Sequence, residues 1–336
     1  MYYEMHCPIC SENEWHQTGT RIQQEADERW NSGYPKIQKA VFFDLWHTNE
    51  KIVEMKRCVC KKCGFVIDLP RPDKQEVDDK YKYLAVVEGD LGSSRAISPE
   101  SMKQEHKQAI DILDLAKSHL ECTSGVFDIL DCGGGAGHFS IPMEKKGHNC
   151  YLVDYNKFPM VGITRLGNTL EDIPSVQKFD LIICRHVLEH VASPKKLAAG
   201  FIHYLKNKGL VYAEVPIELF GATRPKADPV THINYFQRDS FQILFETVGF
   251  APIISRQKST TYHGNTIIVA QILARKGLFH GKNISYGNSF EKTMSLMNPR
   301  YPYFTRLRVR MRHPVQFGRN VLKRVTKIIP GKEKRR

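Results

Sequence analysis

The stretch Val126–Ser140, VFDILDCGGGAGHFS, constrains this chain more than any other. Val126 to Leu130 is a short apolar run suited to a buried parallel strand. It ends on Asp131, and Gly133, Gly134, Gly135 and Gly137 follow before a helical stretch. Strand, glycine turn and helix bring backbone close to a ligand that a Cβ would block. A second apolar run, Cys150–Val153, ends on Asp154. This spacing predicts a β-α-β unit whose second acidic residue is placed to hold ribose hydroxyls.

The dinucleotide pattern G-x-G-x-x-G needs its third glycine at position 138, which is histidine. Asp131 discriminates further, because a carboxylate beside the turn repels a pyrophosphate and attracts an ammonium or sulfonium group. S-adenosylmethionine (SAM) carries both cations and no phosphate. Asp131-x-Gly133-x-Gly135-x-Gly137, with Asp154, therefore predicts a SAM site rather than an NAD site.

Further segments join these residues: Lys178–Ile183 as a fourth strand, His186–Val191 after it, Leu205–Pro216 as a fifth, then His232–Phe236 and Val248–Phe250. Together they resemble class I SAM-dependent methyltransferases over roughly residues 95–275. The resemblance implies an α/β fold, a Rossmann-like seven-stranded sheet with helices on both faces, and methyl transfer from SAM. It matches Gly167–Pro174 to the loop that meets adenine, which implies Asn168 and Thr169 beside that ring. Ligands of open α/β sheets bind at the carboxyl ends of strands, so Arg185 and His186 are expected to face the crevice, Arg185 toward the cofactor. One departure stands out. Only Tyr155–Pro159 separates the second strand from the next candidate, Met160–Leu166, whereas a parallel crossover needs a dozen or more residues. Either the crossover helix is lost or that strand lies elsewhere.

Two C-x2-C pairs lie upstream of this core. Cys7, Cys10, Cys60 and Cys63 are read as two zinc knuckles that together hold one structural Zn, with Cys58 as a spare. A site of four thiolates leaves no open position for catalysis. The chain thus divides into a zinc-ribbon-like module at 1–72 ending at Leu69-Pro70-Arg71-Pro72, and a linker with an N-terminal helix at 73–120. A methyltransferase domain at 121–276 and a basic amphipathic tail at 277–336 complete it. Within 73–120, Tyr81, Tyr83 and Arg95 are candidate lid residues, and Pro99–Leu120 is an amphipathic helix opened by Ser98-Pro99.

The net charge of +13 is misleading as an average. Residues 300–336 hold 13 Lys and Arg against one Glu, which leaves the rest of the chain near neutral. The basic helix in the tail suits an anionic membrane surface, with RNA phosphates as the competing partner. No run approaches the ~20 apolar residues that span a bilayer. No signal peptide is evident at the N-terminus. The sequence therefore predicts a cytoplasmic protein, peripheral on the inner membrane face if the tail binds lipid.

Methyl transfer is an in-line displacement in which the protein mainly positions the nucleophile. A hydroxyl or carbon acid also needs a base. His186, Glu214, His232 and Tyr235 are candidates, with His232 or His186 expected to take the proton. The resemblance extends to bacterial sugar methyltransferases with zinc knuckles, often found among surface-polysaccharide genes, which makes a small-molecule or glycan acceptor the first expectation. An RNA methyltransferase is the alternative, although Cys184-Arg185-His186-Val187 stands where a base-methylating Asn/Asp-Pro-Pro-Tyr motif would lie. A non-enzymatic SAM-fold scaffold is a third reading.

Overall fold

The computed structural model describes residues 5–31, 33–90, 98–120, 125–262, 265–277 and 284–298. Arg95 and residues 299–336, where the sequence places the basic helix, lie outside the described residues.

The chain opens with β1 (Trp15–Gln24), then a helical excursion containing α1 (Tyr34–Lys39) and a π-helical run Ala40–Trp46, then β2 (Ile52–Cys60) and β3 (Val66–Leu69). The excursion buries Trp30, Phe42, Phe43 and Trp46 in one aromatic cluster with Val77, Val230 and Ile233. Helices α2 (Lys74–Asp90) and α3 (Pro99–Lys117) follow. The Ser98 side chain accepts from the Ser101 amide and Pro99 sits in the first turn of α3, the capped start that Ser-Pro encodes.

The core continues as β4 (Asp128–Cys132), α4 (Ile141–Glu144), β5 (Asn149–Val153), β6 (Ile163–Gly167), β7 (Phe179–Arg185), α5 (Pro194–Tyr204) and β8 (Leu205–Pro216). After it come β9 (Asn234–Tyr235), α6 (Arg238–Thr247), β10 (Phe250–Tyr262), β11 (Asn265–Lys276) and α7 (Ser289–Met297). Seven strands form one sheet in the order β10-β11-β8-β7-β4-β5-β6. The pairs among β4 to β8 are parallel, and β11 runs antiparallel to both β8 and β10. Successive residues go to opposite faces. Leu130, Ile182 and Val211 join the cluster containing Phe201 and Phe245 of α5 and α6. Ile129, Leu181 and Leu210 join the one containing Ala109, Leu113 and Ala116 of α3. A sheet covered on both faces needs continuous apolar strands, which is why β4, β7 and β8 read as runs.

The chain leaves β4 for β5 and β6 on one side, and returns to β7 and β8 on the other. The crevice therefore opens at the carboxyl ends of β4 and β7. Strand β6 pairs in parallel with β5, from Cys150↔Ile163 onward, so the third strand is in its place and the crossover helix is what is lost. Residues 154–162 connect the two strands without a helix, leaving Phe158 and Val161 exposed.

The N-terminal sheet is not self-contained. Its order is β1-β2-β3-β9, so a strand from beyond the β8 loop completes it. Buried Arg57 joins the parts: it pairs with both Asp68 oxygens at 2.8 Å and lies 4.3 Å over the Tyr235 ring. The 217–233 loop docks on β1, where Thr18 Oγ1 donates to the Thr223 carbonyl at 2.8 Å and Arg21 Nε to that of Pro225 at 2.7 Å. Residues 284–298 belong to the stretch that the sequence assigns to a basic amphipathic tail. Instead α7 buries Met297 with Val59, Val66, Leu219 and Tyr235, and Thr293 Oγ1 donates to the Gly64 carbonyl at 2.8 Å.

Candidate cofactor and acceptor site

The glycine turn after β4 has the shape its sequence requires. Gly133, Gly135 and Gly137 all have positive φ, at 74°, 63° and 87°, a region that side chains rarely enter. A Cβ on Gly133 would meet Val187 Cγ2 at 2.4 Å, whereas one on Gly135 would point into open space with no described atom within 4 Å. The Gly133 amide donates to the Val153 carbonyl at 2.8 Å, and the Gly135 amide donates to Asp154 Oδ2 at 2.9 Å. The two acidic strand ends and the turn thus converge on one spot.

Asp131 lies beneath the turn, fully buried, and accepts from Ser140 Oγ at 2.8 Å. Burial pushes its carboxyl up to about 6, against the pull of Ser140 and Arg185. Asp154 accepts the Asn156 amide on its other oxygen at 2.7 Å. Tyr155 beside it stacks on Tyr81 of α2, ring centroids 5.3 Å apart with planes within 6°. Helix α2 therefore covers the Asp154 side of the crevice, and Tyr83 packs against the aromatic cluster.

Asn168 and Thr169 lie beyond β6, where their amides donate to Asp172 Oδ2 at 2.7 and 3.0 Å. The Asn168 side-chain oxygen is engaged by Arg165, which also holds the Asp154 carbonyl at 2.9 Å. Arg185 is engaged within the chain. It pairs with Glu214 at 2.8 Å, reaches Gln108 of α3 at 3.1 Å and lies 3.9 Å over the Phe139 ring. Glu214 also accepts from Tyr212 and Gln271, at 2.8 and 3.0 Å. Burial alone would raise the Glu214 carboxyl, and Arg185 and His186 outweigh it, holding it far below the carboxylate range.

His186 follows β7 with a φ of 55°. Its nitrogens lie 3.4 Å from Glu189 and 3.3 Å from Glu214, and Tyr262 packs on the ring at 4.1 Å. Burial would lower its pKa, but the two carboxylates win and raise it. His190 donates from Nδ1 to the Thr231 carbonyl at 2.5 Å and is lowered to about 4 by burial. His232 donates from Nδ1 to Glu218 Oε2 at 2.6 Å, and Lys226 reaches the other Glu218 oxygen at 2.5 Å. Burial would raise Glu218, but His232 and Lys226 hold it down to about 2. His232 also lines a small pocket with Phe42, Trp46, Met55, Pro70 and Pro229. Lys80 closes the same side, donating to the Val230 carbonyl at 2.8 Å, and burial lowers it to about 8. Tyr235 is buried under Arg57, with its ring in the N-terminal sheet.

Sequence reasoning missed Gln108, Tyr155, Glu218 and Lys80. Glu218 precedes its histidine by 14 residues in an irregular loop, so no periodicity marks the pair. Tyr155 follows Asp154 directly, so its place beside that carboxylate was readable from the sequence.

The four cysteines Cys7, Cys10, Cys60 and Cys63 bring their sulfurs within 4.8 Å of one another. Cys7 to Cys63 and Cys10 to Cys60 are both 3.6 Å, close to the roughly 3.8 Å edge of a tetrahedron of Zn–S bonds of about 2.3 Å. The Gly64 amide donates to the Cys60 carbonyl at 3.0 Å, turning the second knuckle. Cys58 lies nearby, but its sulfur faces the Lys56 carbonyl at 3.9 Å.

Residues 95–254 match a family model described as a methyltransferase domain. Among curated proteins, the chain is 27% identical over 134 residues to a ubiquinone biosynthesis O-methyltransferase of Rickettsia canadensis, covering 37% of this chain and 53% of that protein. It is 25% identical over 134 residues to the same-named protein of Rickettsia akari, covering 37% and 51%. The chain thus spans about half the length of the curated relatives it matches. Among solved structures, a 1,6-didemethyltoxoflavin-N1-methyltransferase of Burkholderia thailandensis aligns at 14% identity and TM-score 0.44, covering 66% of this chain and 96% of that one.

Proposed function

We propose that this chain, whose residues 95–254 match a methyltransferase-domain family model, is a class I SAM-dependent methyltransferase that transfers a methyl group from SAM to a hydroxyl of a small-molecule acceptor. Bound SAM supplies an electrophilic methyl carbon on a sulfonium leaving group. The observation that carries the reading is the junction of Gly135 with Asp154 beside open space, at the carboxyl ends of β4 and β5. In it, Asp154 meets the ribose hydroxyls and the Gly133–Gly137 backbone passes along the methionine part. Asp131 sets the field beneath the turn, and Asn168 and Thr169 border the adenine. Arg185, held by Glu214 and Phe139, shapes the floor beneath the cofactor.

The acceptor enters from the side of the Phe42, Trp46 and Met55 pocket, so the N-terminal module builds its wall. Of the two candidate bases, His232 suits the role and His186 does not. A base needs an unprotonated nitrogen within reach of the acceptor. His186 is clamped between two carboxylates that keep its proton. His232 donates a hydrogen bond from Nδ1–H to Glu218, which orients the ring and leaves Nε2 to receive a proton. Oxygen as the methylated atom is supported by the names of the Rickettsia relatives. Sugar hydroxyls, free or lipid-linked, fall within the proposed class. The RNA alternative rests on the zinc-ribbon-like module together with the basic tail, and an anionic membrane partner on the tail alone. The four-cysteine site holds one structural Zn that fixes β2, β3 and the α7 helix beneath the pocket wall.

The test is calorimetric SAM binding, followed by turnover with hydroxylated aromatics and nucleotide sugars in wild type and His232→Ala. Unchanged SAM affinity with turnover lost in the variant supports the reading. A folded protein that does not bind SAM overturns it.

A further inference from the structure

We propose that the acceptor carries a carboxylate or a phosphate besides its hydroxyl, and that the buried Lys80 ammonium binds this anion at the edge of the acceptor pocket. The inference rests on the acceptor pocket proposed above and names the class of molecule that enters it. Lys80 lies on α2 and is 4% exposed. Its Nζ donates to the Val230 carbonyl at 2.8 Å. It lies 5.8 Å from the centre of the Trp46 ring and 5.2 Å from that of Tyr81. Val230 follows Pro229, which lines the pocket with Trp46 and His232. The ammonium therefore stands between the pocket wall and the Tyr81–Tyr155 stack.

An ammonium has three N–H donors, and the Val230 carbonyl takes one. A buried charge without a counterion is costly, and Lys80 forms no ion pair among the described residues. The two aromatic faces offset part of that cost but bring no anion. The acid that acts on Lys80 from further off is Asp228. Its Oδ1 is taken by the amides of Val230 and Thr231, at 2.9 and 3.0 Å. Burial lowers Lys80 to about 8, and an anion beside it restores its charge. A methionine would fill the same space at no electrostatic cost, so the charge serves something that the folded chain does not supply.

The surroundings favour an anion as well. Arg71 sits between Pro70 and Pro72, which both line the pocket. It donates to the Ile233 and Ala192 carbonyls, at 2.8 and 2.6 Å, and likewise forms no ion pair among the described residues. Two cations at this pocket thus rest on backbone carbonyls. The acids nearby are already matched. Arg57 takes both oxygens of Asp68, His232 and Lys226 take one oxygen each of Glu218, and Glu189 lies 3.4 Å from His186. An incoming anion therefore meets cations that lack a counterion, while the base role of His232 is untouched.

The experiment titrates benzoate and inorganic phosphate, with benzamide as the neutral control, into the full chain saturated with S-adenosylhomocysteine. Calorimetry at constant ionic strength reads the binding. At least one anion should bind, at least about tenfold more tightly than benzamide, and which one binds tells carboxylate from phosphate. Lys80→Met should weaken that anion at least about tenfold. S-adenosylhomocysteine affinity on the same samples reports that the variant is folded, and Lys80→Gln replaces it if it is not. Binding of neither anion to the wild type overturns the proposal, as does undiminished binding in the folded variant. Failure of the wild type to bind S-adenosylhomocysteine overturns the methyltransferase reading instead. The same titrations on the cofactor-free chain then decide the Lys80 site by themselves.

Discussion

The Asp154 carboxylate accepts the Gly135 amide at 2.9 Å, so the acid that ends the second core strand also locks the glycine turn that ends the first. Asp154→Ala removes the lock together with the carboxylate proposed to hold the ribose. SAM affinity should fall at least about tenfold, the loss of one to two kcal/mol that a charge-assisted hydrogen bond represents. Calorimetry with near-unchanged thermal stability checks it, since Asp154 is only half-buried.

Asp131 makes stability depend on pH. Its folded pKa of about 6 exceeds the ordinary 3.8, so the folded state holds the proton more tightly. The sign follows: stability falls as pH rises from about 4 to about 6 and stays low above that, a loss of about 3 kcal/mol. Asp131→Asn cannot ionise and escapes this loss. Denaturant unfolding at pH 4.5 and 7.5 should show the variant gaining on wild type at the higher pH, while SAM binding weakens. A stability difference independent of pH would refute the assignment.

Two glycines with the same backbone handedness should respond differently to alanine. Gly133→Ala drives a methyl into Val187 at 2.4 Å at a φ of 74°, whereas Gly147→Ala at a φ of 87° meets nothing. The second should cost only the about 1 kcal/mol of a left-handed alanine. The first should cost more and abolish SAM binding. Melting temperatures and calorimetry on the two variants separate strain from clash.

Removing the metal from the four cysteines should act at a distance. Cys60→Ser with Cys63→Ser should abolish binding of the roughly one zinc per chain. The knuckle carries Gly64, which receives Thr293 of α7, so the α7 and β9 packing should loosen. Hydrogen exchange should quicken in β2, β3 and α7 while β4, β7 and β8 stay protected. Loss of SAM binding in the variant would show that the two modules fold as one unit.

Tyr81 tests the lid. Tyr81→Ala removes the ring stacked on Tyr155 and uncovers the ribose end of the crevice. SAM should dissociate several-fold faster in stopped-flow measurements, because an aromatic pair contributes about 1 kcal/mol beyond its burial. An unchanged rate would assign α2 to scaffolding alone.

The local readings came from patterns that local physics enforces. Gly133, Gly135 and Gly137 mark positive φ because other residues resist it. Asp131 and Asp154 stand at the carboxyl ends of apolar runs, where the crevice of an open α/β sheet lies. Cys7, Cys10, Cys60 and Cys63 stand at knuckle spacing, which a tetrahedral set of sulfurs requires. These fixed the Rossmann-like core and predicted its nucleotide end and the four-sulfur cluster without tertiary knowledge. The loss of the crossover helix was also visible, as a connection too short to hold one.

What tertiary structure decided were partnerships between residues far apart in the chain. Arg185 stands at a strand end, where it is expected to face the cofactor, but Glu214 on the neighbouring strand and Phe139 take its charge and face. His186 and His232 look alike in sequence, yet one lies between two carboxylates and the other has Glu218 on one nitrogen. Residues 284–298 gave no sign of the surface that buries Met297. Backbone preference is written in consecutive residues, whereas pKa, tautomer and burial depend on what folding brings alongside, and a one-dimensional pattern does not carry that.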